Sequence, residues 1–320
     1  MPYIQYLMLA LALLVTELFY FKLADKYNII DKPNNRSSHT VITLRGGGVV
    51  FPIAILMAFA LGYVSWELTA AVVLVGAVSF IDDINPLTQL PRFASHLFAV
   101  LLVFSDLNLF SYEIWLLLIL FVLLIGWINA FNFIDGINGI TVLYALISIL
   151  SFASVSTNAD SLPVLITLGI SCVVFGIFNV RKKAKTFAGD VGSISMALFL
   201  GYFMIKTIID SGNIGYILFF SVYGIEAVVT IISRLMKREN IFQPHRSHLY
   251  QYLVNEMRYS HVGVATVYAV LQLGINVMIT YFIENDNLTL YTGGRLLLLM
   301  TLTYISVRLI VIRRIQQKGL

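Results

Sequence analysis

The sequence predicts an all-α membrane protein that crosses the bilayer about eleven times, and three observations predict it. Of its 320 residues, 59% are hydrophobic and only 12% are charged, where an ordinary globular chain carries about a quarter charged. The mean hydropathy is +0.86. Apolar stretches of about 20 residues, the length that crosses a bilayer as a helix, recur from Tyr3 to Ile312 with short polar breaks.

Reading each apolar run between polar or Gly/Pro breaks places helices near 2–24, 47–64, 67–81, 92–106, 111–129, 137–156, 161–179, 192–209, 213–233, 262–283 and 294–312. The first run has no Lys or Arg ahead of it and ends at Lys22, Asp25 and Lys26 without a small-residue cleavage site, so it reads as a retained helix. The only cysteine, Cys172, falls within the seventh run and excludes an intrachain disulfide. No composition shift or repeat divides the chain, which reads as one integral-membrane domain over 1–320.

Basic residues set the orientation, because cytoplasmic loops collect Lys and Arg. A periplasmic N-terminus puts Lys26, Lys32, Arg36, Arg45, Arg92, the run Arg181, Lys182, Lys183 and Lys185, the segment 234–261 and the tail with Arg313 and Arg314 on the cytoplasmic side. The other face keeps Lys206, Arg295 and mostly acids, in loops a few residues long. The formal charge of +4 then reflects topology, and nucleic acid is excluded as a partner. Catalysis belongs in the cytoplasmic loops, about 25–46, 82–92, 130–136, 180–191 and 234–261.

Five motifs fall in those loops. FIDDINPL sets Asp82 beside Asp83 at a membrane face, where adjacent carboxylates need a cation or hydrogen-bond donors; they read as a metal site or base, or as solvated loop acids. NAFNFIDGINGI spaces Asn129, Asn132, Asp135 and Asn138 by three, so neighbours share a helix face, and amides both donate and accept, as a base edge or sugar hydroxyl requires. In KAKTFAGDVGS, Lys185 precedes Asp190 at the start of the eighth helix, where free N–H groups favour phosphate; Asp190 also fits a helix cap. IFQPHRSHLYQYL carries His245, Arg246 and His248. Zinc lacks an evident third ligand there, whereas arginine matches a phosphate or a lipid headgroup. DKPNNRSSHTVITLRGGG places Asp31, Arg36, His39 and Arg45 ahead of three glycines, fit for cradling phosphate or for an ordinary basic turn. Together they hold carboxylates for a metal, cations for phosphate oxygens and amides for a sugar or nucleoside.

From about Asp31 to His261 these motifs resemble the polyprenyl-phosphate N-acetylhexosamine-1-phosphate transferases, glycosyltransferase family 4. The resemblance implies ten or eleven membrane helices and a cytoplasmic active site. It implies that Asp82 and Asp83 are the paired catalytic aspartates, one of them base or nucleophile. It implies Mg2+, or Mn2+ in its place, held chiefly by Asp190, and Asp135 is the expected second metal carboxylate. Asn129, Asn132, Asp135, Asn138, Arg36, His39, Lys185, His245, Arg246 and His248 are the expected substrate-binding residues, and the resemblance would give Asn179 a uracil contact. The partners implied are a UDP-N-acetylhexosamine such as UDP-GlcNAc, undecaprenyl phosphate and membrane lipid, in the bacterial inner membrane, with a homodimer allowed. The His-Arg-Ser-His form resembles members that start O-antigen, capsule or related surface glycans, and the phospho-MurNAc-pentapeptide transferase of peptidoglycan synthesis is the nearest rival. The chain departs from the family at Ile42 and Leu44, where prolines are usual, and in a loop after Asn179 one residue longer than usual. Glu226, inside the ninth run, is an isolated membrane acid without an assigned role. A proton-coupled transporter would place its acids near the bilayer midplane, and here only Glu17 and Glu226 lie away from the faces.

Overall fold

A computed structural model describes residues 2–33, 38–240 and 246–317. Each of the eleven expected segments is helical. Helix α1 is Pro2–Lys26, α2 Val50–Ala60, α3 Trp66–Ile84, α4 Gln89–Asp106, α5 Ile114–Ile134 and α6 Ile140–Ser154. Then follow α7 Leu162–Asn179, α8 Gly189–Ser211, α9 Ser221–Met236, the single turn α10 Leu249–Gln251, α11 His261–Glu284 and α12 Leu290–Gln317. Among the described residues seven helical segments are long and apolar enough to cross a membrane, and two shorter apolar ones are Gly47–Ala60 and Ile140–Ser154. The chain is therefore a multi-pass, helical membrane protein. Its outward faces are apolar, as at Leu298, Leu299 and Leu302 of α12.

The boundaries that moved are the ones that matter. Helix α3 runs to Ile84, so Asp82 and Asp83 sit in its last turn and not in the loop beyond it. Helix α5 continues to Ile134, which puts Asn129 and Asn132 on its final turns, and α6 starts only after Gly139. Helix α8 opens at Gly189, three residues earlier than expected, and carries Asp190 in its first turn. The all-α expectation also misses one small pairing: β1, Ile30–Asp31, runs antiparallel to β2, Thr43–Leu44, and Leu44 bridges to Thr186. Extended backbone here finds partners across loops that the hydropathy pattern leaves blank.

Helix α8 is the hub. Of its most apolar 18-residue stretch 83% is buried, against 11% for α12, and it packs on α3, α5 and α6. Small residues let neighbours approach closely. A Cβ on Gly48 would lie 2.3 Å from the Gly192 Cα, so the glycine run before α2 presses directly on the first turns of α8. Backbone bonds from Gly47 to the Phe187 carbonyl at 2.9 Å and from Gly48 to that of Ala188 at 3.0 Å fix the contact. The N-terminus of α8 thereby meets the 43–48 segment and the end of α3 at one end of the bundle.

Candidate active site

That end of the bundle encloses a cavity of about 330 Å³. Asp135 and Asp190 line it together with Asn132, Asn138, His39 and Arg45. Three stretches widely separated in sequence thus converge on one space.

Asp83 is placed behind this cavity by α3 and aims at the start of α8. Its side chain is fully buried and accepts three hydrogen bonds: from Arg45 Nε at 2.8 Å, from the Asp190 N–H at 3.0 Å and from the Val191 N–H at 3.1 Å. The first N–H groups of a helix have no partner within it, and a carboxylate satisfies them while matching the positive end of the dipole. Asp83 therefore caps α8 from a different helix. The Gly189 turn makes this possible: its φ is +70°, and a Cβ there would fall 2.4 Å from Asp83 Oδ2. Asp82 faces the other way, accepting from Arg92 of α4 and from the Leu87 N–H at 2.6 Å, and holds the 85–88 turn.

Arg45 joins the two sides of the site, since its Nη2 lies 3.8 Å from Asp190 Oδ1 while Nε binds Asp83. Burial works against its charge, but Asp83, Asp190 and Asp31 outweigh that and hold the guanidinium above its usual range. Asp135 terminates α5 and accepts from the Thr141 hydroxyl. Burial pushes its carboxyl up to about 6 against that bond, with the nearby Asp83 adding to the rise. Asn132 accepts from Ser193 of α8 at 2.5 Å, tying α5 to the same first turns. Asn138 is 4% exposed; its Nδ2 donates to the Arg181 carbonyl at 2.9 Å, while Oδ1 has no hydrogen-bond partner among the described residues. His39 packs its ring against Phe187 and lies 3.9 Å from Asp31.

Other expected residues stand elsewhere. Asn129 donates to the Ile125 carbonyl of its own helix at 2.8 Å and does not line the cavity. Lys185 is exposed and away from it. His248 is buried 3.5 Å from Glu226, and the residue its segment gives to the cavity is Gln251. Arg246 is half-buried, with its charge near Glu256. Arg36 and His245 lie outside the described residues. Asn179 lines the cavity, yet both ends of its amide brace backbone: Oδ1 accepts from Gly139 N–H at 2.7 Å and Nδ2 donates to the Thr186 carbonyl at 2.9 Å. The structure adds Arg45, Gln251 and His261 to the lining. Arg45 was visible beside its glycines, whereas His261 stands in no motif, and its Nδ1 accepts from the Asn138 N–H at 3.4 Å.

The donor set suits magnesium. Among the described residues no three His, Cys, Asp or Glu side chains form a closed metal cage. Mg2+ does not need one, because one or two carboxylates and substrate phosphates hold it. Asp135 and Asp190 are two such carboxylates lining one cavity, together with amide and guanidinium groups.

With this geometry in view, residues 65–208 match the family described as Glycosyl transferase family 4. That segment, a little under half of the chain, is similar to glycosyl transferase family 4. The matched stretch runs from the cap of α3 into α8 and includes both members of the aspartate pair, Asp135 and Asp190. Similarity to that family over this segment supports a polyprenyl-phosphate sugar-1-phosphate transferase in general. No curated protein matches the chain.

Proposed function

We propose that the chain transfers an N-acetylhexosamine-1-phosphate from a UDP-sugar, UDP-GlcNAc or a close relative, to undecaprenyl phosphate, releasing UMP. The observation that carries this reading is the convergence of Asp135, Asp190 and Arg45 on one polar cavity at the end of an apolar bundle. Phosphoryl transfer needs chiefly positioning and charge neutralisation, and those groups supply both.

In this reading Asp190 and Asp135 hold Mg2+, which neutralises the donor diphosphate when bound. Asp83 presents α8 to the cavity by satisfying its first N–H groups and orients Arg45, whose remaining guanidinium face meets phosphate oxygens. The carrier phosphate attacks the phosphorus nearer the sugar: a new P–O bond forms to the carrier, the bond to the uridine-side phosphate breaks, and UMP leaves with that electron pair. Asn132 and Asn138 offer amides to the sugar or nucleoside. Asp82, itself buried, holds the part-exposed Arg92 beside exposed Ile81, Ile84 and Phe93, and in this reading a carrier phosphate arrives at that guanidinium with its tail still in lipid.

The same reading places eleven spans in a bacterial inner membrane, with the N-terminus periplasmic and the cavity cytoplasmic, on the side where Arg45, Arg92 and the Arg181–Lys185 run collect. It assigns the enzyme to the first membrane step of O-antigen, capsule or related surface-glycan synthesis. The deciding experiment incubates purified protein with undecaprenyl phosphate, Mg2+ and a panel of UDP-N-acetylhexosamines. Metal- and carrier-dependent UMP release that Asp190→Asn abolishes is expected. Release only from UDP-MurNAc-pentapeptide would move the chain to peptidoglycan synthesis, and no release from any donor would overturn the transferase reading.

A further inference from the structure

Glu226 is the acid that the motifs leave without a task. It is fully buried in α9, and an uncompensated polar group at such a place is costly. Both of its oxygens have partners: Oε1 accepts from the Tyr250 N–H at 3.4 Å and lies 3.5 Å from His248 Nδ1, and Oε2 accepts from the Tyr268 hydroxyl of α11. One carboxylate therefore fastens the 248–250 turn to two membrane helices. That turn reaches the active site in two ways. Gln251, whose Oε1 caps the turn by accepting the His248 N–H at 3.2 Å, lines the cavity. The Tyr250 hydroxyl donates to the Phe133 carbonyl at 3.1 Å, and a Cβ on Gly136 would fall 2.3 Å from that hydroxyl, so Tyr250 is wedged against the turn that presents Asp135.

We propose that Glu226 is a positioning residue for the active site: it clamps the 248–251 turn so that Tyr250 buttresses the Phe133–Gly136 turn and holds Asp135 in place. The proposal adds a role to the transferase reading, but its first test does not depend on that reading.

Full-length protein in lipid nanodiscs is compared as wild type, Glu226→Ala and Tyr250→Phe, the last removing one hydroxyl while keeping the ring stacked at 5.6 Å on His248. Hydrogen–deuterium exchange, which needs no substrate, is read over 133–139 and 248–256. Both variants should speed exchange in 133–139 by about tenfold, as expected when a local opening loses one hydrogen-bond anchor. Only Glu226→Ala should also speed 248–256. Unchanged exchange at 133–139 in both variants overturns the proposal. The second readout is UMP release: a buttress for Asp135 predicts kcat lower by about 10²-fold for Glu226→Ala, with KM for the UDP-sugar little changed. Glu226→Gln, which keeps an acceptor for the Tyr250 N–H, should recover most of it, and a loss in Glu226→Gln equal to that in Glu226→Ala would also overturn the clamp. Wild-type protein that releases no UMP would sink the transferase reading instead, and the exchange data would still decide the clamp.

Discussion

Asp83→Asn separates a structural carboxylate from a reactive one. The wild-type side chain accepts Arg45 Nε and the Asp190 N–H on Oδ1 and the Val191 N–H on Oδ2. Asparagine offers one oxygen, so its NH2 must face either the Val191 N–H or the other two donors. A buried N–H left unsatisfied costs about 1–3 kcal/mol. Losing the charge opposite Arg45 adds up to about 3 kcal/mol for a fully buried pair, discounted here because the Arg45 side chain is 35% exposed. The expected loss is about 3 kcal/mol, which for a chain of this size is a melting shift of about 5 °C. Cys172, the only cysteine and 1% exposed in α7, is a built-in reporter: a thiol-reactive fluorogenic dye labels it only as the bundle opens. A fall of several degrees with partial retention of UMP release fits a carboxylate that caps α8. A melting curve unchanged within 1 °C together with complete loss of turnover would refute the capping argument and make Asp83 a reacting group.

Asp190→Asn, by contrast, should abolish metal-dependent UMP release while moving the same melting curve little, since among the described residues its carboxylate makes only the 3.8 Å contact with Arg45. Asp135 has a folded pKa of about 6 against an ordinary 3.8; a raised acid is a burden once ionised, so its contribution to stability is best below about pH 4 and is lost as pH rises to 6. Two units correspond to about 3 kcal/mol, and Asp135→Asn without added metal should melt higher than wild type at pH 7.5 but not near pH 4. Gly192→Leu should unfold the protein or displace α2, because a Cβ there already falls 2.7 Å from the Gly48 Cα; overpacking of this kind costs about 1–3 kcal/mol or more, read by the same dye. Asn179→Ala should lower stability by about 2 kcal/mol through two lost buried bonds, and normal melting in that variant would free Asn179 for a role in substrate binding.

Much of this protein is legible in its sequence because the bilayer imposes a single strong rule: backbone groups in lipid must be satisfied within a helix, so runs of apolar residues announce where the helices lie. All eleven segments were readable on that ground, and so was the cluster of motifs, since Asp135, Asn132, Asn138, His39 and Asp190 do share one cavity. Hydropathy is blind to helix ends, however, where charge and apolar run overlap, and so it set Asp82 and Asp83 in a loop when they close α3. Nor can spacing along one chain say which way a side chain turns. The adjacent Asp82 and Asp83 serve different helices, Asn129 folds back on α5, and Glu226 holds a turn more than twenty residues away. Only the packing of α3, α8, α9 and the 43–48 segment decides the partners of Asp83 and Glu226, because these depend on donors that are distant in sequence and that a buried carboxylate must find to be tolerated at all.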